Sequence, residues 1–594
     1  MDAGTHTINK IFGQDRRYVV PLFQRPYVWN REDQWEPLWD DVRTVAERLI
    51  NGKPTRPHFM GAIVLDQQRQ PTGRVETRLV IDGQQRLTTI QILLEAFADL
   101  AAEMGREKLH KALLKLTRND DPMSEDPDEV FKVWPTNRDR EAFAAVMKEG
   151  SPDGVRKTLE KQKGPERRRA IAEAYLFFNE AIREWIVAGS EDEKFEKLYL
   201  VLKDNLRMVV IDLDGQDEAQ LIFETLNARG TRLLPSDLVK NHLFHLAERQ
   251  GENLEKLYER WWQPFDYAEY WRDEVGKGRG KRARIDVFLQ DFLTLHEHDD
   301  VKIAHLYDAY QEHIEKRGGE GPAQHMERLR RYADLYQSFD ELPEGTPEAV
   351  FFTRLRALDM TTAHPFLLGL FARHGSNQDG IRQILRDIEC FVVRRMVCRW
   401  TTKQYNLMFV ELLKTLDAPS ASVADAFREH LLSFDGESRR WPKDTEFREA
   451  WLNAPLGSAL PRVRTEMLIR ALETHAVSPK TEPVKIDGKL TVEHLMPEKW
   501  EKHWPLPAGV NPDEAEAERK RLVQTVGNLT LLTKSLNPSI SNGPWSKKRE
   551  AIQENSVLKL NNRLWDQSIW DEQAIRRRGE ELFRLALEIW PRPA

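Results

Sequence analysis

Residues 81–89 (Ile-Asp-Gly-Gln-Gln-Arg-Leu-Thr-Thr) constrain the fold of this chain more than any other stretch. The apolar run at residues 78–81 is typical of a β-strand, and residues 87–104 carry apolar side chains at helical spacing. Asp82 and Gly83 permit a tight turn between them, because glycine tolerates positive φ. The pattern therefore predicts a strand, a polar turn and a helix.

Such a turn has the chemistry to hold an anion. The first amides of a helix have no partners within it, so they can bind a phosphate, and the forked guanidinium of Arg86 also fits phosphate. The alternative is a helix capped by Asp82 or Gln84, with Arg86 on the surface. Spacing alone favours this alternative, because the turn is not a Walker phosphate loop.

Three further stretches join this turn in a specific order. They are residues 23–29 (Phe-Gln-Arg-Pro-Tyr-Val-Trp), 59–64 (Phe-Met-Gly-Ala-Ile-Val) and 223–230 (Phe-Glu-Thr-Leu-Asn-Ala-Arg-Gly). Together the four stretches resemble the ParB/sulfiredoxin-like nucleotidase domain that opens many bacterial anti-phage proteins. The resemblance implies a nucleoside triphosphate, GTP or ATP, with Asp82 and Arg86 as catalytic residues. The candidate nucleotide-binding residues are Gln24, Arg25, Tyr27, Asp82, Gly83, Gln84, Gln85, Arg86, Asn227, Arg229 and Lys240.

Two of these assignments have structural alternatives. We expect Arg25 on phosphate and Tyr27 or Trp29 stacked on a base. The alternative is that Pro26 and the two aromatic rings simply pin a loop to the core. For Lys240 the alternative is an ordinary solvated helix residue.

The chain length predicts several domains. A chain of 594 residues is too long for one core, and two to four domains are expected. We predict an α+β, predominantly helical protein. Its parts are a ParB/sulfiredoxin-like domain at residues 1–247, with a helical insert at about 105–200, a helical middle domain at 248–440 and a C-terminal domain at 441–594.

The composition limits the class of protein and the partners that it can bind. With 31% charged and 40% hydrophobic residues and no long apolar run, a soluble protein without a membrane span is expected. The start of the chain lacks the pattern of a signal peptide, and the two cysteines, Cys390 and Cys398, form no metal pattern. These features predict a cytoplasmic protein; a homo-oligomer is left open. Since the net charge is −7, any DNA contact must come from local patches.

Two basic patches suit nucleic acid. Residues 276–284 hold five basic residues, three glycines and no acid, which predicts a mobile loop on a phosphate backbone through Arg279, Lys281 and Arg282. Residues 391–410 interleave Arg394 and Arg395 with aromatic residues, again a pattern typical of nucleic-acid contact. In each case the alternative is that the basic side chains merely face solvent.

The C-terminal region carries a second set of chemical residues. Glu493-His494 is followed in order by Gly527-Asn528-Leu529, Asn537, Asn542 and Lys547. Phosphodiester hydrolysis needs a base for water and a cation for the developing charge; a neutral histidine suits the first task, and carboxylate and amide oxygens suit Mg²⁺. Adjacent residues on a strand point to opposite faces, so only a bulged or hairpin-end backbone lets Glu493 and His494 serve one site.

This order resembles the HNH nuclease family with its ββα-metal fold. The resemblance implies His494 as general base, Glu493 as a metal ligand and Asn528 as a brace for the histidine loop. It also implies Asn537 as the second ligand with Asn542 as competitor, and Lys547 or Lys548 on the scissile phosphate. Asparagine in place of a last histidine favours Mg²⁺ or Mn²⁺ over Zn²⁺.

Together the two ends resemble the fused anti-phage restriction nucleases of the GmrSD and SspE-like type. The implied function is nucleotide-regulated nicking or cleavage of invading phage double-stranded DNA, responsive to its modification state. One alternative is a DNA-binding or regulatory protein with degenerate sites. Another is a nuclease toxin whose N-terminal domain only senses a nucleotide.

Overall fold

The computed structural model describes residues 2–22, 24–67, 75–120, 127–161, 170–188, 190–213, 234–276, 278–417, 422–477, 490–507, 509–533 and 542–593. The chain divides into two units, residues 1–274 with 319–326 and residues 275–318 with 327–594. Helices dominate both units, and the larger sheet lies in the first. The predicted α+β, mainly helical class is confirmed in this coarse form. The division into three domains at residues 247 and 440 stays a prediction.

The first unit is built on a mixed six-stranded sheet. The strands are β1 Asp2–Thr7, β2 Arg16–Val19, β3 His58–Gln67, β4 Glu76–Asp82, β5 Val133–Trp134 and β6 Leu206–Leu213. Their order in the sheet is β1-β6-β3-β4-β2-β5. β4 runs antiparallel to β3 and parallel to β2, so the polar turn that follows β4 leaves the interior of the sheet and not its edge.

The helix after this turn is the centre of the first core. Gln84–Glu103 is buried along most of its length and packs against two helices, Glu107–Thr117 and Ala170–Val187. The predicted strand, turn and helix at residues 78–104 are therefore confirmed. The other helices of the first unit are Ile8–Phe12, Glu36–Ile50, Asn137–Glu149, Pro152–Lys161, Glu191–Leu200, Pro235–Arg249, Leu254–Leu257, Gln263–Tyr267 and Glu269–Arg272.

From residue 275 onward the described chain is helical, with two small two-stranded sheets. β7 Glu274–Val275 pairs with β8 Arg282–Ala283, and β9 Leu490–His494 pairs antiparallel with β10 Leu529–Thr533; the second pair is called the β9–β10 hairpin. A core of large apolar side chains, including Trp500, Trp545 and Trp570, packs around this hairpin. The helices from residue 284 onward are Arg284–Glu297, Leu306–Lys316, Pro322–Ser338, Pro347–Leu358, His364–His374, Gln378–Val397, Tyr405–Leu412, Val423–Ser433, Asp444–Asn453, Leu456–Ala459, Arg462–Ala476, Pro512–Val523, Trp545–Asn555, Lys559–Asn562 and Glu572–Ile589.

Arg394 and Arg395 lie in the interior of the second unit, and the prediction that they contact DNA is wrong. Both are 0% exposed. Arg394 donates to the carbonyl of Trp590 at 2.8 Å and to Asp444 at 2.6 Å. Arg395 donates to the hydroxyl of Tyr405 and to several backbone carbonyls. Buried arginines need such acceptors, so their aromatic neighbours reflect a core and not a nucleic-acid surface.

Candidate functional site

The polar turn after β4 is shaped by Gly83. Its φ is 93°, in the left-handed region, and a Cβ there would collide with the side chain of Ile63 on β3. The Leu87 amide donates to the Gly83 carbonyl at 3.0 Å and so closes the first turn of the helix. Glycine, and not Asp82 or Gln84, therefore occupies the N-cap position.

The polar side chains around the turn bind backbone. Three glutamines and Arg86 each donate to main-chain carbonyls of neighbouring segments, and Gln85 also accepts from the Val28 amide at 2.9 Å. The acceptors are Val80 at 2.6 Å and Ile81 at 2.9 Å for Gln24, Arg25 at 2.9 Å for Gln84, Pro26 at 3.1 Å for Gln85 and Ala62 at 2.9 Å for Arg86. These bonds hold residues 24–28 and β3 against the turn. The predicted ligand role of these side chains stays a prediction beside this structural one.

Arg25 stands in a cluster of charges beside the turn. Burial lowers the pKa of its guanidinium, the nearby carboxylates of Asp237 and Asp82 act in the opposite direction, and the charge of Arg86 lowers it further. Two guanidiniums and two carboxylates thus share one electrostatic neighbourhood. Such a set can bind phosphate oxygens through the arginines and hold water or a cation through the acids.

Asp237 was not predicted for this cluster. It lies in the first turn of the helix Pro235–Arg249 and is 5% exposed, with Arg272 at 3.4 Å. The sequence signal was weak, because an acid in the first turn of a helix is an ordinary stabilising feature. Only the fold brings it to Arg25, more than 200 residues earlier.

Tyr27 pins its loop to the core, the alternative considered from the sequence. The prediction that it stacks on a base is wrong. Tyr27 is 4% exposed, and its hydroxyl bonds the Thr89 hydroxyl at 2.7 Å and accepts from the Trp35 indole at 2.9 Å. Its amide donates to Asp139 at 2.7 Å. Burial raises the pKa of the phenol, and a ring enclosed to this degree cannot stack on a nucleobase.

Lys240 is buried in an ion pair away from solvent. Its ammonium lies 2.5 Å from a carboxylate oxygen of Asp266, which also accepts from Tyr258 at 3.1 Å and pairs with Arg272. Burial opposes ionisation of Asp266, but the two cations hold the pKa of this carboxyl below its ordinary value. Lys240 therefore neutralises a buried acid, and neither predicted role, nucleotide ligand or solvated residue, describes it. The candidates Asn227 and Arg229 lie outside the described residues.

The basic loop at residues 276–284 comes at the start of the second unit and is shorter than predicted, because Arg282–Ala283 forms β8 and Arg284 begins a helix. Lys281 and Arg282 are exposed, and the Arg282 guanidinium donates to the Lys281 carbonyl at 2.6 Å. The backbone of Arg279 forms part of a short 3₁₀ turn, Gly278–Gly280, while its side chain lies outside what the structure describes. The DNA contact predicted for these three residues stays a prediction.

In the second unit, His494 is the last residue of β9. The β9–β10 register is regular to this point, with His494 opposite Leu529 and Glu493 opposite Thr530. The two side chains have different neighbours, as expected for adjacent strand residues. The imidazole is 22% exposed and faces Gln524 at 3.2 Å, whereas the Glu493 carboxylate faces Lys548.

Lys548 ties the hairpin to the following helix Trp545–Asn555. Its buried ammonium donates to Glu493 at 3.0 Å and to the His494 carbonyl at 2.7 Å. Burial lowers the pKa of this ammonium, and Glu493 opposes that shift. Of the two lysines considered from sequence, Lys548 is the one at Glu493; Lys547 is exposed. Asn542 is also exposed, and Asn537 lies outside the described residues.

Asn528 braces the segment that follows His494. It is fully buried, accepts from the Met496 amide at 2.8 Å and from the Trp570 indole at 3.0 Å, and donates to the carbonyls of Met496 and Val523 at 2.8 and 2.9 Å. All four bonds fix the backbone or core around the end of β9. These contacts support the bracing role that the HNH resemblance implies for this residue, which as a functional role stays a prediction.

Two residues near His494 were not predicted. Gln524 bonds its ring, and Gly457 lies against the same contact: a Cβ on Gly457 would be 2.7 Å from the Gln524 amide oxygen and 3.3 Å from His494 Nε2. Neither belongs to a periodic pattern or a motif, and Gly457 is 37 positions before His494. No local signal in the sequence could have found them.

In the described part of the chain, no three or more His, Cys, Asp or Glu side chains come together as a metal-binding group. None of its helices combines the length and apolarity needed to cross a bilayer.

The chain is thus a multidomain protein with two candidate sites, a polar strand–turn–helix site in one unit and a histidine-bearing hairpin in the other. Two family models match it in the corresponding places. The model described as GmrSD restriction endonuclease, N-terminal domain, matches residues 8–244, and the GmrSD restriction endonucleases, C-terminal domain, matches residues 441–585. No curated protein matches the chain. The chain belongs to the GmrSD restriction endonucleases, as its motifs predicted, and its substrate is DNA.

Proposed function

We propose that this restriction endonuclease cuts DNA at the β9–β10 hairpin, as an HNH-type enzyme with His494 as general base. One observation carries the proposal. The imidazole ends a strand, is partly open to solvent, and sits on a backbone segment fixed by Asn528. A general base must reach water while keeping a defined position, and this arrangement meets both needs.

In the proposed reaction, neutral His494 takes a proton from a water molecule. The water oxygen attacks phosphorus, the bond from phosphorus to the leaving oxygen breaks, and that oxygen takes up a proton from solvent. His494 then returns its proton to solvent. Lys548 holds the Glu493 carboxylate and the His494 carbonyl together, so it keeps the two chemical residues in register.

A divalent cation, Mg²⁺ or Mn²⁺, is part of the proposal. When bound, it would stabilise the charge that develops on the phosphate oxygens. Glu493 offers the carboxylate oxygen that such hard cations prefer; it is adjacent to His494 in sequence, is 12% exposed and is held by Lys548 at 3.0 Å. The donor chemistry therefore fits the ion, with Asn537 as the second ligand that the family pattern implies.

We further propose that a nucleoside triphosphate, GTP or ATP, binds beside the DGQQR turn and regulates cleavage. The support is the charge cluster of Arg25, Arg86, Asp82 and Asp237, which joins phosphate-binding guanidiniums to carboxylates. In this proposal Asp82 and Arg86 take part in hydrolysis. Regulation would let invading phage DNA be distinguished by its modification state, with the basic loop at residues 276–284 on the DNA backbone.

The test is a set of nuclease assays on unmodified, glucosylated and phosphorothioate DNA. Each substrate is incubated with and without GTP or ATP, and with excess chelator. Metal-dependent cutting that changes with nucleotide and with modification is the expected result. Cutting that persists in chelator would overturn the metal-dependent HNH mechanism. Rates that are the same with every nucleotide, on every DNA, would overturn the regulation.

A further inference from the structure

A chain of three side chains runs from the hairpin outward. His494 Nε2 lies 3.2 Å from Gln524 Oε1, and Gln524 Nε2 donates to Glu498 Oε1 at 2.6 Å. Glu498 is itself 3.9 Å from His494 Nε2. The amide of Gln524 thus stands between an imidazole and a carboxylate.

The carboxylate decides which way this amide faces. An ionised glutamate can only accept hydrogen bonds, so it must meet the NH₂ group of Gln524. The amide oxygen then faces His494, and an imidazole nitrogen opposite a carbonyl oxygen must be the protonated one. In the neutral ring the lone pair is therefore on Nδ1.

Gly457 keeps the side-chain amide of Gln524 in this place. The backbone N–H of Gly457 donates to the backbone carbonyl of Gln524 at 2.8 Å, which ties the two segments together. A Cβ at this position would approach the Gln524 amide oxygen to 2.7 Å. Any larger residue would push the oxygen off the ring nitrogen, so the contact depends on a glycine here.

We propose that Gln524, backed by Glu498, is a positioning residue that holds His494 with its proton on Nε2 and leaves Nδ1 to receive the proton of the attacking water. This inference rests on the proposed role of His494 as general base. After the ring has taken up a proton, Nε2–H still donates to the Gln524 amide oxygen, so the contact is kept through the reaction.

The first test is spectroscopic and does not depend on activity. In full-length protein labelled with ¹⁵N-histidine, the ring signals that vanish in His494→Ala belong to this residue. The wild type should show a protonated Nε2 and an unprotonated Nδ1. Gln524→Leu should give a mixture of both tautomers. A wild-type ring protonated on Nδ1 would overturn the proposal.

The second test is kinetic. Gln524→Leu should lower kcat on DNA by about 10–100-fold, the effect of losing one hydrogen bond to a group that becomes charged, with KM changed by less than about twofold. The exchanged pair Gln524→Glu with Glu498→Gln keeps an oxygen toward His494 and a donor toward a carboxylate, so it should recover most of kcat. Glu501→Ala, an exposed glutamate in the same segment, is the matched control.

The outcomes separate this inference from the function on which it rests. If His494→Ala cuts at the wild-type rate, the proposed function fails. If His494→Ala is inactive while Gln524→Leu keeps the wild-type kcat, only the positioning role fails. Should Gln524→Leu not fold, Glu498→Ala replaces it, because that side chain is 64% exposed. Glu498→Ala should also mix the tautomers and lower kcat, and an unchanged tautomer would again overturn the proposal.

Discussion

The two candidate sites use their polar residues in opposite ways. At the N-terminal turn, the motif side chains Gln24, Gln84, Gln85 and Arg86 donate to backbone carbonyls of neighbouring segments. At the C-terminal hairpin, the chemical side chains are held by other side chains, Gln524 on His494 and Lys548 on Glu493. The N-terminal motif side chains therefore fix the backbone around the charge cluster, whereas the hairpin carries the residue that we propose as the general base.

This contrast predicts which property, stability or activity, each substitution changes. A side chain that bonds the main chain contributes to stability, because its loss leaves buried carbonyls without donors. A side chain held at its tip by another side chain can be changed with little effect on folding. Stability and activity should therefore separate cleanly at the hairpin and overlap at the turn.

The largest expected effect is at the hairpin. His494→Ala should reduce DNA cleavage by about 10²–10⁴-fold, the usual contribution of a general base, and should leave the melting temperature within the error of the wild type. The measurement is a cleavage time course on plasmid DNA with Mg²⁺. His503→Ala, an exposed histidine in the same unit, is the control and should cut normally.

The N-terminal counterpart pairs two variants. Arg25→Met should weaken GTP or ATP binding by about 10–100-fold, since a charged hydrogen-bond donor to phosphate is lost, and should leave stability near the wild type. Gln85→Met should instead lower the free energy of unfolding by about 1–3 kcal/mol, because the Val28 amide and the Pro26 carbonyl lose their partner. Calorimetric titration and thermal melting measure the two effects. Equal loss of stability in both variants would show that Arg25 is a structural residue like Gln85 and would contradict the distinction.

The basic loop belongs to neither site, so changing its charges should weaken DNA binding and leave the turnover rate unchanged. Charge reversal at Lys281 and Arg282 should weaken DNA binding and flatten the plot of log affinity against log salt by about 0.9 for each phosphate that the protein no longer neutralises. Fluorescence anisotropy across a salt series measures the slope. The cleavage rate at saturating DNA should stay the same. An unchanged slope would remove the loop from the DNA interface.

The smallest effect concerns the helix that carries the turn. Burial, together with the charge of Glu95, raises the pKa of Asp99 to about 6, above its ordinary value of 3.8. The unfolded chain therefore releases this proton first, and stability falls as the pH rises between these two values and then levels off. The free energy of unfolding of Asp99→Asn, relative to that of the wild type, should rise by about 1–2 kcal/mol from pH 5 to pH 8. Thermal melting of both proteins at the two pH values measures this difference, and the same difference at both would contradict the raised pKa.

Local patterns predicted local structure well. The strand, turn and helix at residues 78–104 follow from apolar periodicity and a glycine at the turn. The candidates Glu493, His494 and Asn528 were grouped because of their order along the chain. The pairing of β9 with β10 brings Asn528 to the end of β9, where its carbonyl accepts from the Leu495 amide at 2.9 Å.

Burial of charge was not predictable in the same way. Lys240 and Arg394 read as solvated or ligand-binding cations, because lysine and arginine usually are. Their partners, Asp266 and the Trp590 carbonyl, are 26 and 196 residues later in the chain. Likewise Gln524 and Gly457 meet His494 only through the tertiary fold. A pattern of neighbours in sequence carries no information about such distant pairs.

The bond from Arg394 to Trp590 has a consequence in time. Ribosomes add about 5–20 residues per second, so roughly 10–40 s separate the synthesis of the two partners. The hairpin also gains contacts from a later segment, because Arg578 of the helix Glu572–Ile589 donates to the carbonyls of Gly527 and Leu529 at 2.8 Å. These bonds of the second unit therefore form only after residues 572–590 have left the ribosome, and a shorter nascent chain lacks the contacts that hold the end of the candidate site.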